Sequence, residues 1–283
     1  FRRVLFRSGL SQYGAQGAAS IGKTADVITA TYYPNTARAV QGNPSMRVLL
    51  STDSRTTTRE FVPAAGQVMK DLATAKTFTL PTTALRWRVT SDSNGLHVSY
   101  VTSAGTTAVA GTYAGPIQVS GGSVVRVRFS SGAGRDYRSS VRVLRSGTSS
   151  LRSIAVMPME SYLYGVVPRE SSSSWAAAAL QAQSIAARSY SQYKRDHASS
   201  SQGYDICDTT QCQVFGGTAS YTNANDSTTR KALEATSTNN AVNATAGVIH
   251  TYGGKAIFAE FSASNGRWST DSGPPYLVAK AHP

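Results

Sequence analysis

The stretch "VVPRESSSSWAAAALQAQSIAARSY" (Val166–Tyr190) decides the fold, because it reads as a turn, a cap and one long helix. Ser172, Ser173 and Ser174 can each accept a free backbone N–H at a helix start. Trp175, Ala179, Ala182, Ala186, Tyr190 and Tyr193 recur at helical spacing, which predicts a helix from about Trp175 to Tyr193. That stripe is mostly alanine, so it reads as core against which a neighbour packs close to the helix axis. A helix this small-sided can be buried on several faces, and Gln181, Gln183 and Arg188 on it then need partners. Glu170 stands in the turn after Pro168, ahead of the serines. A carboxylate near a helix N-terminus gains ~0.3–1 kcal/mol from the dipole. On position alone, therefore, electrostatic capping is the default reading of Glu170 and catalysis the lesser one.

Upstream, "SIAVMPMESYLYGVVP" reads as a buried strand, a turn at Pro158 and a short helix. Further upstream, from Met46 to about Arg145, apolar and polar residues alternate in short runs such as "MRVLLST", "LRWRVTS", "LHVSYVTS" and "SVVRVRFS", with Gly, Ser and Asn turns between them. Ser/Gly-rich "SSGAGRDYRSS" breaks this run near its end. Gly9–Thr36 reads as one or two short helices ending at Tyr33-Pro34. Downstream of the long helix, "ALEATSTNNAVNATAGVIHTYGGKAIFAEFSASNGRWST" reads as a helix and two strands closed by a Ser/Asn/Gly loop. The expected fold is α+β: a mixed catalytic-type core with a long Ala-rich helix, plus a β-rich inserted module. The expected organisation is 1–8 as an artefact, 9–45 as an N-terminal segment packing on the core, 46–145 as the β-rich module and 146–283 as the core, either by itself or as one continuous unit with 9–45. Phe1–Ser8 is set aside because it resembles the in-frame translation of a short sequencing adapter, and the natural chain is expected to extend at both ends.

The 283 residues carry 28 Lys and Arg against 15 Asp and Glu, a net charge of +13. That favours polyanionic surroundings: nucleic acid, an anionic membrane or an anionic cell wall. The basic residues are dispersed, with no run of five, which argues against a nucleic-acid arm. No run approaches the ~18 apolar residues of a membrane span. The wealth of Ser, Thr, Ala, Gly and Tyr fits an extracellular protein. Two cysteines, Cys207 and Cys212, could close a small disulfide loop, remain as buried thiols or contribute to a metal site. Only His197 lies near them in sequence, so the disulfide ranks above the metal.

The quoted residues resemble the stage II sporulation protein D family, also called SpoIID/LytB. "MPMESYLYGVVPRESSSSWAAAALQAQSIAARSY" is similar to its central signature, "YDICDTTQCQVFGG" to its next motif and "FSASNGRWS" to its later Ser/Gly loop. "GLSQYGAQGAA" is similar to its N-terminal "GHGxGMSQYGA" segment, whose His-bearing start is missing here. The four motifs occur in order between Gly9 and about Leu277, and the β-rich region carries little of the likeness. The resemblance implies a secreted or cell-envelope protein acting on peptidoglycan glycan strands as a lytic transglycosylase, with Glu170 as the catalytic glutamate. The alternative it implies is a non-catalytic wall-binding protein or an enhancer of a cell-wall amidase. Nucleic-acid binding lacks a recognition motif and ranks last.

A glycosidase of the usual kind needs two carboxylates. A lytic transglycosylase manages with one, because the substrate's own 6-hydroxyl is the nucleophile. The polar residues at motif positions are Ser11, Gln12, Gln213, Ser262, Ser264 and Asn265, which are expected to line a sugar cleft. Tyr13, Trp175, Tyr190 and Trp268 are candidates for stacking on sugars or for burying Glu170. Arg188 is expected to pair with a buried carboxylate or carbonyl, and Asp205 and Asp208 to be turn residues. Some relatives hold zinc with two cysteines and two histidines in this region. Here Gln211 precedes Cys212 where a histidine would be expected, so the expectation is no metal, no cofactor and a Cys207–Cys212 disulfide.

Overall fold

The computed structural model describes residues 8–109, 111–266 and 268–281. The fold is α+β, and the described chain divides into two compact units. One takes Phe1–Pro44, Pro158–Ser199 and Glu234–Pro283; the other takes Ser45–Met157 and Ser200–Leu233. The sequence reading sets boundaries at 46 and 146. The compact units instead keep the strand Ser150–Pro158 with the β-rich unit up to Met157, and they give 200–233 to that unit as well. Of the octet Phe1–Ser8, only Ser8 lies among the described residues, and it is buried.

The first unit is built around one helix. Its helices are α1 (Gln12–Ser20), α2 (Ala25–Tyr32), α3 (Met159–Glu170), α4 (Ala177–Asp196) and α5 (Thr236–Ala244). α4 packs against the other four and against the strand Val248–Tyr252. Alanine at 179, 182, 186 and 187 lets these neighbours approach, and all four are buried. Buried Ser184, Ser189 and Ser191 donate back to the carbonyls of Leu180, Ile185 and Ala187 at 2.7–2.8 Å, which satisfies hydroxyls that have no water to turn to. A three-stranded antiparallel sheet (Lys255–Ala256, Val248–Tyr252, Ala37–Val40) lies in the same unit.

Two local expectations change. The serines do not cap α4. Ala176 is its N-cap residue without a side-chain cap, and its N–H donates to Gln16 Oε1 of α1 at 2.9 Å, while Ser172 and Ser174 bond to each other. The start of α4 is thus tied to α1 through the N-cap residue's own N–H, with no side chain capping its first turn. Pro168 does not end α3 either. It falls in the last turn, where it removes one intrahelical N–H donor without ending the helix, and Glu170 is the final helical residue rather than part of a turn.

Arg188 is fully buried and forks onto Glu160 of α3, with Nε–Oε1 at 2.9 Å and Nη2–Oε2 at 2.7 Å. Its remaining N–H groups donate to the carbonyls of Val248 (3.0 Å) and Val242 (3.2 Å), and the Gly247 N–H donates to Glu160 Oε1. One ion pair therefore ties α3, α4, α5 and the strand after it, and the buried-partner expectation for Arg188 holds. His250 is also buried, with Nδ1 and Nε2 each 2.8 Å from a threonine hydroxyl, Thr36 and Thr29. Burial pushes its pKa down to about 4.

The second unit holds a 13-stranded sheet among the described residues. Its longest strands, Ile117–Arg128 and Gly134–Ser146, pair antiparallel with a register shift between Ser120 and Val124. The shift falls at Gly121 and Gly122, both at positive φ, and a Cβ on Gly121 would stand 2.2 Å from the Gly66 carbonyl oxygen. The sequence therefore reads this single strand as two. Cys207 and Cys212 form a disulfide. The strand Ile206–Cys207 pairs parallel with Ser45–Leu50. The flanking aspartates are more than turn residues: Asp205 takes a fork from Arg47 and its backbone N–H, and Asp208 accepts from the Ser51 N–H. Burial holds the Asp208 carboxyl above the ordinary aspartate range, against the Ser51 hydrogen bond.

Candidate functional site

α3 and α4 form an antiparallel hairpin, because Glu160 at the start of α3 lies opposite Arg188 far along α4. The end of α3 and the start of α4 therefore share one end of the hairpin, joined by residues 171–176. Glu170 opens that connection and is half-buried. Trp175 lies near its close, and its ring meets Tyr13 edge-on with centroids 5.2 Å apart. Tyr13 is 62% exposed, so the aromatic pair presents a face to solvent.

Two short strands bring the N-terminal and C-terminal motifs to the same neighbourhood. Leu10–Ser11 pairs parallel with Phe261–Ser262, and the Tyr13 N–H then donates to the Ala263 carbonyl at 3.0 Å. Gly9 makes this approach possible: its φ is +67°, and a Cβ there would lie 1.9 Å from the Glu260 carbonyl oxygen. Ser11 caps α1 by accepting from the Gly14 N–H at 3.1 Å, and it also bonds Tyr32. Burial nevertheless raises the Tyr32 phenol above its ordinary value. Gln12 is buried and donates to Gln183 Oε1 of α4 at 3.3 Å. The Ser11 and Gln12 side chains are thus spent on internal bonds, as an N-cap and an interhelical link.

Three buried polar atoms here have no partner: Gln183 Nε2, Ser262 Oγ and Asn265 Nδ2. Buried donors are almost always satisfied, so each is a contact waiting for a further group. Ser264 is exposed and accepts from the Gly266 N–H in a turn. Trp268 is 56% exposed. Tyr190 is not available for stacking: it is buried beside Phe258 (5.2 Å) and Phe261. Gln213 is fully buried and belongs to the other compact unit, as do Cys207 and Cys212.

The sequence reading also missed a second acid, Glu260, directly before Phe261. Its Oε2 accepts from the hydroxyls of Ser8 and Ser272, the latter at 3.0 Å, and its carbonyl accepts from Leu10 N–H and Tyr33 Oη. The carboxylate at the head of the "FSASNG" motif was the available signal.

Chemically, the neighbourhood offers two half-buried carboxyls, Glu170 at the end of α3 and Glu260 beside Leu10–Ser11, together with the Tyr13–Trp175 pair and unsatisfied donors suited to carbonyl or hydroxyl oxygens. Glu170 is the last residue of α3, at the negative end of that helix's dipole. This is opposite in sign to the influence of the α4 N-terminus considered from sequence.

Comparison with known proteins bears on these residues. Residues 147–252 match the family described as "SpoIID: Stage II sporulation protein". A 124-residue stretch is 37% identical to the amidase enhancer of Bacillus subtilis, covering 42% of this chain and 15% of that protein. A 105-residue stretch is 34% identical to an uncharacterized protein of Brachyspira hyodysenteriae, covering 37% of this chain and 25% of that one. The chain thus spans a quarter or less of each curated relative's length. The matched region takes in the whole α3–α4 hairpin with Glu170, and over it the chain is similar to the SpoIID/LytB family.

Proposed function

We propose that the protein acts at the bacterial cell wall as a peptidoglycan lytic transglycosylase, with Glu170 as general acid and then general base. The observation that carries this reading is the short connection between α3 and α4, which starts on a half-buried carboxyl and closes on the Tyr13–Trp175 pair. The aromatic face suits a sugar ring, and the unpartnered Ser262 and Asn265 suit its hydroxyl and N-acetyl groups. In the reaction Glu170 gives its proton to the glycosidic oxygen, and the bond from that oxygen to muramic C1 breaks. The muramic 6-hydroxyl attacks C1, and its proton passes to the Glu170 carboxylate. The anhydro ring closes, the acid is regenerated and no water is consumed.

Mass spectrometry of digested glycan strands tests this. Wild-type protein should release 1,6-anhydro ends, and Glu170→Gln should release none. Anhydro ends from the variant at the wild-type rate would end the proposal. A second reading, a non-catalytic enhancer of a wall amidase, is favoured by the name of the Bacillus subtilis relative. It expects glycan binding that survives Glu170→Gln, with no new sugar ends from either protein.

A further inference from the structure

The β-rich unit carries a cluster that the reaction above does not use. Four arginines, Arg55, Arg86, Arg88 and Arg128, converge on the single carboxylate of Glu60. Arg86 Nε and Arg88 Nη2 lie 2.9 and 2.7 Å from Oε1; Arg55 Nη1 and Arg128 Nη1 lie 2.9 and 2.8 Å from Oε2. The register explains the convergence. Arg88, Glu60 and Arg128 are direct cross-strand neighbours on three adjacent strands, so they share one face of the sheet. Arg86, two residues before Arg88, points to that same face. Glu60 is buried, but the four guanidinium side chains keep 19–26% of their surface open.

The charges do not balance. Asp53 neutralises part of Arg55 at 2.7 Å, which leaves four cations against two anions. Glu60 is contacted at both oxygens and has no further capacity, and the Nε–H of Arg86, 2.9 Å from Oε1, is not aligned for a hydrogen bond to it. The whole unit repeats the imbalance, with 16 Lys and Arg, 13 of them Arg, against 8 Asp and Glu in 45–157 and 200–233, a net +8. Arginine forks match phosphate oxygens in pairs, which a lysine-rich surface would not do. Glu60 acts as an internal template that holds the forks in place with donors left over.

We propose that this arginine face of the β-rich unit binds a linear phosphodiester polyanion that carries no bases. A base-free polymer is favoured over single-stranded nucleic acid because nucleic-acid grooves interleave basic groups with exposed aromatic rings. Among the described residues, the exposed large aromatics, Tyr13, Tyr252 and Trp268, all belong to the other unit. The inference is independent of Glu170, and its test reads binding alone.

Calorimetric titration of the full chain with poly(glycerol phosphate) should give binding that weakens with salt. In Arg86→Gln/Arg88→Gln affinity should fall about 10–100-fold, the effect of losing charge-assisted forks. A thermal melt checks that the variant is folded, since Arg55 and Arg128 still pair Glu60. Glu60→Gln removes the competing anion and should bind the polymer more tightly than wild type, whereas a merely damaged cluster would bind it less. Unchanged affinity in the double arginine variant overturns the proposal. So does equal or weaker binding by Glu60→Gln, or tighter binding of single-stranded DNA of matched charge.

Discussion

Replacing Arg188 with Met should destabilise the helical unit more than any other single change in α4. The substitution keeps an unbranched apolar side chain in a fully buried site, so the cavity left behind is small and the lost charge dominates. Five contacts go: two from the fork onto Glu160, at 2.9 and 2.7 Å, and three to the carbonyls of Val248, Val242 and Ser184, at 3.0, 3.2 and 3.5 Å. Glu160 stays buried with the Gly247 N–H as a remaining donor. Breaking a buried pair from one side costs about 3–5 kcal/mol. For a unit of this size that corresponds to a Tm lower by roughly 10–20 °C. Differential scanning calorimetry measures it directly. The double variant Arg188→Met/Glu160→Leu removes the orphaned charge and should regain a large part of the loss. If Arg188→Met costs under about 1 kcal/mol, or if the double variant is no more stable than the single one, the pair is not what ties these helices together.

His250 is neutral in the folded state, with its pKa pushed down to about 4 by burial. The unfolded chain therefore binds more protons as pH falls below ~6.5, and stability should drop by about 3 kcal/mol between ~6.5 and ~4, then level off. Urea titrations across that range should show the slope in wild type and a flatter one in His250→Gln. Cys207 and Cys212 are five apart, a short loop, so Cys207→Ser/Cys212→Ser should cost only about 2 kcal/mol, read from denaturation with and without reductant.

What the sequence disclosed depended on how local the cause was. The short helix before Pro168, the long Ala-rich helix, the short N-terminal helices and the alternation of most strands rest on spacing within a dozen residues, and they appear close to where they are expected. The strand Thr58–Val62 was overlooked because "TREFV" buries Arg59 and Glu60, a pattern that reads as exposed until the partners are known. Arg59 is satisfied by Ser153 and the Leu151 carbonyl, more than ninety positions away. Burial alone would raise the Glu60 carboxyl, but the Arg88 hydrogen bonds and the charges of Arg86 and Arg55 hold it below its ordinary range. Asp205 and Asp208 looked like turn residues for the same reason, their partners Arg47 and Ser51 lying 158 and 157 positions away. No serine caps α4: Ser172 and Ser174 bond each other, and the N-cap residue Ala176 is held by Gln16 of α1, a contact that local sequence does not show. Of the candidate site, Glu170 and the motif residues were nameable in advance, but the duties of Ser11 and Gln12 were not, since an N-cap and an interhelical bond require the fold.

The parallel pairing of Leu10–Ser11 with Phe261–Ser262 sets an order of assembly on the ribosome. The β-rich unit has all its residues once Leu233 has emerged, whereas the helical unit must wait for Ser262. Until then Gly9–Tyr13 has no strand to join, and closing that loop of roughly 250 residues carries an entropic cost of about 5 kcal/mol if the intervening chain is flexible. A β-rich unit already folded from 45–157 and 200–233 takes those residues out of the flexible path and lowers that cost. The inserted unit would thereby act on the helical one as an intramolecular folding aid, bringing forward the moment at which the two ends of the candidate site can meet.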